Sequence, residues 1–345
     1  MKKVGILTGG GDCPGLNPVI RAVTRKLSNN GYQVLGFLEG WRGILTGNYI
    51  ELNWNNTDNI LDQGGTILGS SRTNPYKDEA KDLPQLKKVW EDIGLEALIA
   101  VGGDDTLGVA TKLYENEGLN VVGCPKTIDN DLNATDFTFG FDTSVNAALD
   151  CIDRLITTTR SHRRVAVVEC MGRTAGWITA FVGIASGADV VLVPEKPFDI
   201  DEVCATLLKN RKRGKEFNLV VVSEGASFSN DEGAVTQDQS VDAFGHAKLG
   251  GIGKRLAKII EEKTGFEVRE QILGHIQRGG HPSAFDRVLG TRYGLKTAQL
   301  VLDGHFGQMS ALQGNSITSV PLKEATGTLK LLSEDFMEVF EEFTK

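Results

Sequence analysis

Short apolar segments rich in β-branched residues recur along this 345-residue chain, and most of them end at a glycine-bearing turn. They lie at residues 4–7, 33–37, 97–101, 121–123, 165–169, 190–193 and 219–223. Amphipathic segments that fit helices separate several of them, at residues 18–29, 83–93 and 142–158. Buried parallel strands that alternate with helices have this pattern. The sequence therefore predicts an α/β protein with doubly wound sheets, in which ligands bind at the carboxyl ends of strands.

Composition and charge narrow the possible partners. A chain of this length can bury the cores of two domains without disulfide bonds. The formal net charge of −8 argues against nucleic acid or an anionic membrane as a partner, but it is compatible with a phosphorylated small molecule held by local charge. The five scattered cysteines, with no CxxC pair, and the short apolar run at residues 4–8 favour a cytoplasmic protein with reduced thiols.

Two segments lack a regular hydrophobic period. Residues 226–251 are rich in Ser, Asp, Gln and Gly, which predicts a mobile surface segment or a lid of unassigned role. Residues 45–58 are rich in asparagine and are predicted to be irregular. We find no internal repeat of short period and no low-complexity tract.

The first predicted strand ends in a glycine turn that reads GGGDCPGLNP at residues 9–18. A glycine turn before a helix presents backbone N–H groups and the positive end of the helix dipole to an anion. Taken alone, a plain tight turn explains the segment equally well. The segment is neither GxGxxG nor GxxxxGK[ST], so a dinucleotide site and a Walker-type ATPase are both disfavoured.

Two acidic turns follow later strands. Residues 101–106 read VGGDDT, and two adjacent carboxylates at a strand end suit one hard cation such as Mg²⁺, although a plain surface turn rich in Asp is the alternative. Residues 125–131 read PKTIDND and combine a lysine, a hydroxyl and two carboxylates. Metal-assisted phosphoryl transfer needs such groups: a carboxylate to accept the proton of an alcohol and cations to hold phosphate charge.

Six segments, in this order, resemble motifs of the phosphofructokinase family along nearly the whole chain. They are LTGGGDCPG (7–15), GTILGSSR (65–72), GGDDT (102–106), PKTIDND (125–131), ECMGR (169–173) and LGHIQRGG (273–280). The resemblance implies two doubly wound α/β domains with the active site in the cleft between them. The larger domain, with the donor and magnesium site, would comprise residues 1–140 and 277–327. The smaller domain, with the sugar phosphate site and subunit contacts, would comprise residues 141–276 and 328–345.

The resemblance also implies residues for the transfer site. Asp129 would accept the proton of the sugar 1-hydroxyl, and Thr127 and Asp131 would lie beside it, against the transferring phosphoryl group and its metal. Asp104 would anchor Mg²⁺, the one cofactor that the family implies. The remaining residues expected around the phosphoryl donor are Gly11, Arg72, Gly103, Asp105 and Lys126.

A second group of residues is implied for fructose 6-phosphate. Its members within one chain are Met171, Gly172, Arg173, Glu224, His275 and Arg278. Taken alone, His275 is more typical of a buried, hydrogen-bonded core histidine than of a ligand-binding residue. Arg278, three residues later, favours an anion site instead. Arg164 and Arg269 match two arginines that reach the phosphate from a neighbouring subunit in the family, which implies a homodimer or a homotetramer.

Asp105 and Lys126 stand where ATP-using members often have glycine. A carboxylate at position 105 would repel the α-phosphate of a nucleotide, and the Lys126 ammonium can pair with a compact diphosphate. Lysine at position 126 also occurs in ATP-using relatives, so Asp105 carries the prediction. We therefore expect reversible phosphoryl transfer from pyrophosphate to fructose 6-phosphate. An ATP-dependent phosphofructokinase is the alternative, a non-catalytic regulatory subunit on the same fold is a more remote one, and the absence of GxGxxG disfavours a dehydrogenase.

Overall fold

The computed structural model describes residues 1–230, 236–241 and 247–344. The strands of the described residues are β1 (Lys2–Thr8), β2 (Tyr32–Phe37), β3 (Tyr49–Leu52), β4 (Leu95–Gly102), β5 (Val121–Pro125), β6 (Val165–Cys170), β7 (Val190–Leu192), β8 (Asn218–Ser223), β9 (Thr236–Val241), β10 (Ala247–Leu249), β11 (Val268–Ile272), β12 (Gln308–Gln313) and β13 (Ser316–Pro321). The α-helices are α1 (Leu16–Ser28), α2 (Trp41–Thr46), α3 (Glu79–Ile93), α4 (Asp104–Glu117), α5 (Phe141–Ser161), α6 (Trp177–Ser186), α7 (Ile200–Lys212), α8 (Ile252–Thr264), α9 (Ala284–Leu302), α10 (Leu322–Ala325) and α11 (Glu334–Thr344). Short 3₁₀ turns occur at Asp58–Ile60 and Gly274–Arg278.

The larger sheet has seven strands in the order β13-β12-β5-β4-β1-β2-β3. Its central strands β5, β4, β1 and β2 run parallel, whereas the edge strands β3 and β13 are antiparallel to their neighbours. The apolar side chains of β1 and β4 are buried on both faces of the sheet, which explains their nearly continuous apolar sequence. The carboxyl ends of β1, β4 and β5 therefore meet at one edge of the sheet.

The second sheet has four parallel strands in the order β11-β6-β8-β7. All of its strands lie between residues 141 and 276, and all strands of the seven-stranded sheet lie within residues 1–140 and 277–327. This distribution agrees with the division into two domains, whose boundaries stay a prediction. The carboxyl ends of β6, β8 and β11 also meet at one edge of their sheet.

The α/β fold and the strands and helices predicted from the hydrophobic pattern are confirmed. The prediction for residues 45–58 is wrong in part, because Tyr49–Leu52 forms β3 on the edge of the large sheet. Three of its four residues are exposed, so the strand has no apolar alternation and depends on backbone hydrogen bonds to β2. In the predicted mobile segment 226–251, residues 231–235 and 242–246 lie outside the described residues. Two described parts of this segment, β9 and β10, pair antiparallel.

All five cysteines are free thiols, and four of them are buried. None of the helices in the described parts of the chain is long and apolar enough to cross a membrane.

Candidate active site

One cavity of about 390 Å³ lies at the carboxyl ends of β1, β4 and β5. The turn after each of these strands contributes to its wall, because adjacent parallel strands bring their carboxyl ends to one edge. Eleven of the residues expected from the sequence line it: Gly11, Arg72, Gly103, Asp104, Asp105, Lys126, Thr127, Asp129, Asp131, Arg173 and Arg278. The structure thus brings the three acidic or glycine-rich turns together around one space.

Close packing between the first two turns requires glycine. A Cβ atom on Gly9 would lie 2.5 Å from Oγ1 of Thr106, and one on Gly102 would lie 2.3 Å from Cβ of the same threonine. Such distances are shorter than any real contact of a Cβ atom, so the Thr106 side chain fills the space that two glycines leave. This packing holds the turns after β1 and β4 against each other.

Asp104 and Asp105 form the first turn of α4, beside Gly103 at its N-cap. The carboxylates therefore lie at the positive end of the helix dipole, where negative charge is stabilised. One oxygen of Asp104, Oδ1, accepts a hydrogen bond from the backbone N–H of Gly327 at 3.0 Å. Two carboxylates of the protein itself thus provide negative charge at the N-terminus of α4.

Lys126 extends from the end of β5 towards the first glycine turn. Its side chain is buried, and Nζ donates a hydrogen bond to the Gly11 carbonyl oxygen at 2.6 Å. Burial lowers the pKa of Lys126. The ammonium group consequently lies between the first and third turns, at the wall that Gly11 forms.

The turn that follows Lys126 carries the two carboxylates at positions 129 and 131. The Thr127 hydroxyl accepts a hydrogen bond from the Asp129 backbone N–H at 3.0 Å, and Asn130 between the carboxylates adopts a left-handed conformation with φ of 53°. Oδ1 of Asp129 is buried and has no hydrogen-bond partner among the described residues. Burial and the neighbouring Asp129 carboxylate raise the pKa of Asp131. Such a site favours a cation or a proton between the two carboxylates.

The second sheet supplies the opposite wall through Arg173. This residue follows β6 with φ of 52°, and its backbone N–H donates to Oε1 of Glu224, at the end of β8, at 3.2 Å. A Cβ atom on Gly225 would lie 1.7 Å from the Arg173 carbonyl oxygen, so the contact between the two turns requires glycine at position 225. Burial raises the pKa of Glu224 to about 7.

Arg278 lies at the end of the 3₁₀ turn after β11 and lines the cavity against Gly11. A Cβ atom on Gly11 would lie 2.3 Å from Nη1 of Arg278, so the guanidinium lies directly against this glycine. His275 in the same turn is exposed and does not line the cavity. Met171, Gly172 and Glu224 also do not line it, although they neighbour Arg173. Arg278 therefore lies beside the glycine turn after β1, and its expected companion His275 lies outside the cavity.

Arg164 and Arg269 do not join the cavity of their own chain. Arg164 precedes β6 and Arg269 is the second residue of β11, so both lie at the amino ends of strands whose carboxyl ends face the site. The six residues of β6 separate the two ends by about 20 Å. Both guanidinium groups pair with the Glu267 carboxylate, Arg164 at 2.7 Å. Their expected role in a neighbouring subunit stays a prediction.

Several residues of the wall were not predicted. Asp12 and Thr174 line the cavity directly beside predicted residues. Asp12 lies inside the first motif and Thr174 directly follows the ECMGR motif, so the sequence could have indicated both. Gly327 and Leu329 also line it, but they come from a distant C-terminal segment. No sequence pattern marks these two residues, because only the path of the chain brings them to the site.

The described residues contain no cluster of three or more His, Cys, Asp or Glu side chains arranged to hold a metal ion. Mg²⁺ in phosphoryl-transfer sites is typically held by one or two carboxylates together with phosphate oxygens and water. Asp104, Asp129 and Asp131 around one cavity supply such carboxylates, and the buried unpaired oxygen of Asp129 leaves an acceptor open. The side chains present therefore fit a hard divalent cation that binds together with phosphate.

Comparisons with known proteins agree with this geometry. The family model described as Phosphofructokinase matches residues 3–301. The chain is 53% identical over 337 residues to "Pyrophosphate--fructose 6-phosphate 1-phosphotransferase" of Streptomyces coelicolor, covering 97% of this chain and 98% of that protein. It is 47% identical over 331 residues to "ATP-dependent 6-phosphofructokinase" of Corynebacterium efficiens, covering 95% of this chain and 94% of that protein.

Among solved structures, phosphofructokinase from Saccharomyces cerevisiae superposes with a TM-score of 0.81 at 30% identity. The match covers 94% of this chain but only 44% of the yeast chain, so this chain spans less than half of that protein. The α/β architecture with the cavity at the strand ends is therefore the phosphofructokinase fold. From the family model and the full-length relatives together, the chain belongs to the phosphofructokinase family.

Proposed function

We propose that this chain transfers a phosphoryl group reversibly from pyrophosphate to the 1-hydroxyl of fructose 6-phosphate, a step of glycolysis and gluconeogenesis. The observation that carries the choice of donor is the Asp105 carboxylate in the first turn of α4, on the wall of the cavity. The name of the Streptomyces coelicolor relative, 53% identical over nearly the full length, supports the same donor.

The position of Asp105 disfavours a nucleotide for an electrostatic reason. A helix N-terminus would otherwise attract an additional phosphate, but Asp104 and Asp105 already provide negative charge at this one. Two like charges about 5 Å apart near a protein surface repel each other by roughly 3 kcal/mol. An α-phosphate close to Asp105 would experience this repulsion, whereas pyrophosphate has no third phosphate to place there.

The cations of the cavity are arranged to hold a compact diphosphate. Lys126 and Arg278 both lie against Gly11, one at its carbonyl oxygen and the other at its Cα. Arg72 lines the same cavity. In our proposal, Gly11, Gly103 and Lys126 bind the pyrophosphate, and Arg72 stabilises the charge that develops as the phosphoryl group moves.

Enzymes of the phosphofructokinase family act with a divalent metal ion, and we propose Mg²⁺. Asp104 would hold it, with Asp131 near the transferring group. When bound, the ion neutralises phosphate charge.

Asp129 is the proposed general base, because its buried oxygen without a described partner can accept the proton of the sugar 1-hydroxyl. Thr127 lies in the same turn and would contact the transferring phosphoryl group. Since hydrolysis of pyrophosphate and hydrolysis of the sugar 1-phosphate release similar free energies, the transfer is close to balance. The same groups would serve the reverse reaction, in which Asp129 returns the proton.

For the sugar phosphate, we propose contacts from the residues that follow β6, β8 and β11. Met171, Gly172 and Arg173 would bind the sugar, and Glu224 would accept from one of its hydroxyl groups. His275 and Arg278 would bind the 6-phosphate, although in this structure only Arg278 reaches the cavity. A rotation of the exposed His275 side chain towards the bound sugar phosphate is part of this proposal.

We further propose a homo-oligomer in which Arg164 and Arg269 bind the 6-phosphate in a neighbouring subunit. Both lie about one strand length from the cavity of their own chain, so they have no role there. Residues 231–235 and 242–246 of the predicted lid lie outside the described residues, and its role stays a prediction, as does the cytoplasmic location.

The decisive experiment assays the purified protein with fructose 6-phosphate and Mg²⁺, with pyrophosphate and ATP as parallel donors. We expect turnover with pyrophosphate and formation of pyrophosphate from fructose 1,6-bisphosphate and inorganic phosphate in the reverse direction. Turnover with ATP alone would establish the alternative, which the name of the Corynebacterium efficiens relative favours. Binding of sugar phosphate without turnover of either donor would indicate the regulatory subunit.

A further inference from the structure

The wall formed by Gly327 and Leu329 belongs to a connection between two helices. Residues 326–333, which we call the strap, join α10 to α11 without helix or ladder structure of their own apart from one β-bridge. Helix α10 packs against α4, which begins at Asp104, and α11 packs against α6, which begins at Trp177 just after the Arg173 turn. The strap therefore runs from the donor side of the cavity to the sugar side.

On the donor side, backbone groups of the strap bind two acidic residues of the site. The Gly327 N–H donates to Oδ1 of Asp104 at 3.0 Å, and the Lys330 N–H donates to the Asp131 carbonyl oxygen at 2.8 Å. Between them, Leu329 forms an antiparallel bridge with Leu132. These contacts fix the strap to the first turn of α4 and to the turn that carries Asp129 and Asp131.

The Lys330 side chain extends the same attachment. Its Nζ atom donates to the carbonyl oxygens of Thr135 at 2.9 Å and Asp136 at 2.8 Å. These two residues continue the loop that begins at the acidic turn. The Lys330 ammonium group therefore binds the far end of this loop. Lys330 is not among the residues that line the cavity in the described parts of the chain. Its contacts can act on the reaction only through other residues.

On the sugar side, the strap binds the segment that follows Arg173. The Trp177 indole Nε1–H donates to the Lys330 carbonyl oxygen at 2.8 Å. The Glu195 carboxylate accepts from the N–H of Leu332 at 3.0 Å and from the N–H of Gly176 at 2.9 Å, both through Oε1. Gly176 and Trp177 lie three and four residues after Arg173, so the strap holds the end of the turn that carries this arginine.

We propose that Lys330 is a positioning residue that couples the acidic turn of the donor site to the Arg173 turn of the sugar site. This proposal rests on the proposed function, since it assigns one turn to the donor and the other to the sugar phosphate. Lys330 is the residue at which the two sets of contacts meet: its N–H and Nζ bind the acidic loop, and its carbonyl binds Trp177. Phosphoryl transfer requires the two substrates in line, and a displacement of about 1 Å can reduce the rate on the order of a hundredfold.

The coupling predicts that each ligand strengthens the binding of the other. The measurement is the Kd of fructose 6-phosphate by calorimetry, with and without saturating methylenediphosphonate, a pyrophosphate analogue that cannot be cleaved, in the presence of Mg²⁺. In the unmodified protein we expect the analogue to tighten sugar phosphate binding by about fivefold or more. In Lys330→Met, which keeps the backbone bonds and an unbranched apolar side chain but loses the ammonium, we expect this factor to fall towards one and kcat to fall about 10- to 100-fold.

Three further variants make the result specific. Lys330→Arg keeps the donor and should restore most of the coupling. Trp177→Phe removes the indole N–H and leaves a smaller aromatic ring among Phe181 and Phe336, so it should reduce the coupling from the sugar side. Lys323→Met on α10, whose side chain is 79% exposed, is the matched control and should behave as the unmodified protein.

Unchanged coupling in folded Lys330→Met overturns the proposal, and so does a loss of kcat accompanied by equal weakening of each ligand measured alone. If Lys330→Met does not fold, Trp177→Phe decides by the same criteria. A protein that turns over only ATP overturns the donor assignment but not the strap, which is then tested with the uncleavable ATP analogue adenylyl imidodiphosphate. The two failures are therefore distinguishable.

Discussion

Lys126 Nζ donates a hydrogen bond to the Gly11 carbonyl oxygen at 2.6 Å, across two turns that lie 115 residues apart in the sequence. This contact fixes a buried cation at the backbone that would bind the donor phosphates. Lysine at position 126 is compatible with either donor, and this contact explains how it can still assist the transfer. The protein holds the ammonium group in place before a phosphate binds.

Replacement of Lys126 by Met should therefore lower turnover with both donors and leave the preference between them nearly unchanged. We expect kcat/KM for pyrophosphate to fall on the order of 10²- to 10³-fold, the usual effect of removing one charge-stabilising donor. The ratio of pyrophosphate to ATP turnover should change little, because the cation interacts with the phosphates of both donors. Steady-state assays with both donors measure this, and a large switch towards ATP would contradict the assignment of donor choice to Asp105.

Replacement of Asp105 by Gly should change donor choice. Removing the carboxylate from the first turn of α4 removes a repulsion of roughly 3 kcal/mol, so we expect the ratio of kcat/KM for pyrophosphate over ATP to fall about 10- to 100-fold. Asp105→Asn is the matched control, since it removes the charge and keeps the size. A ratio that falls in the glycine variant alone would assign the effect to space rather than charge, and a ratio unchanged in both would contradict the argument.

Replacement of Asp129 by Asn should abolish proton acceptance while leaving the turn intact. Because the backbone N–H of Asp129, not its side chain, makes the bond to Thr127, we expect the fold of the turn to persist. We expect kcat to fall by at least about 10²- to 10⁴-fold with little change in the Kd of fructose 6-phosphate. Calorimetry and rapid-mixing kinetics measure the two quantities, and a kcat within tenfold of the unmodified protein would remove Asp129 from the role of base.

Glu224 should make sugar binding depend on pH. Burial raises its pKa to about 7, so the carboxyl is protonated below that pH and ionised above it. An ionised carboxylate is the stronger acceptor for a sugar hydroxyl, so KM for fructose 6-phosphate should rise as pH falls through 7. The phosphate group of the sugar phosphate loses its second proton in the same pH range. Glu224→Gln separates the two effects, because the part of the pH dependence due to Glu224 should disappear in this variant. An identical profile in both proteins would contradict this role.

The same raised pKa has a consequence for stability. The folded protein binds a proton at Glu224 more tightly than the unfolded chain, whose carboxyl keeps the ordinary value of 4.5. Its contribution to the free energy of unfolding therefore decreases as pH rises from about 4.5 to about 7. In Glu224→Gln this contribution should be absent, which urea unfolding of both proteins at pH 5 and pH 8 would measure. An equal change in the free energy of unfolding between the two pH values in both proteins would contradict it.

Arg164 and Arg269 should act in a neighbouring subunit. If so, a mixture of Arg164→Ala and Asp129→Asn chains, each inactive alone, should regain activity after joint unfolding and refolding. Only the hybrid has one site with both functional residues, so about a quarter of the unmodified activity is expected for a dimer. Light scattering gives the oligomeric state alongside, and no recovery in a mixture that forms hybrids would contradict the role of Arg164 in a neighbouring subunit. The same mixture with Arg269→Ala in place of Arg164→Ala tests Arg269.

The hydrophobic pattern predicted the main strands correctly because buried parallel strands need apolar side chains on both faces. The short edge strand β3 escaped prediction for the opposite reason: Tyr49, Ile50 and Glu51 are exposed, and pairing with β2 rather than side-chain burial forms the strand. For the candidate site, glycine turns and acidic residues at strand ends were sufficient, since the order of parallel strands places such turns at one edge.

The sequence by itself determined the α/β class and the three turns that line the cavity, and it predicted different roles for Asp104 and Asp105. Each of these depends on local residue types, such as the glycines that admit Thr106 between two turns. Only the tertiary structure decided that Arg278 lies against Gly11, that Arg164 and Arg269 lie far from their own cavity, and that the strap with Lys330 completes the wall. These relationships arise from long-range packing, as between Asp104 and Gly327, which lie 223 residues apart, and no local pattern records them.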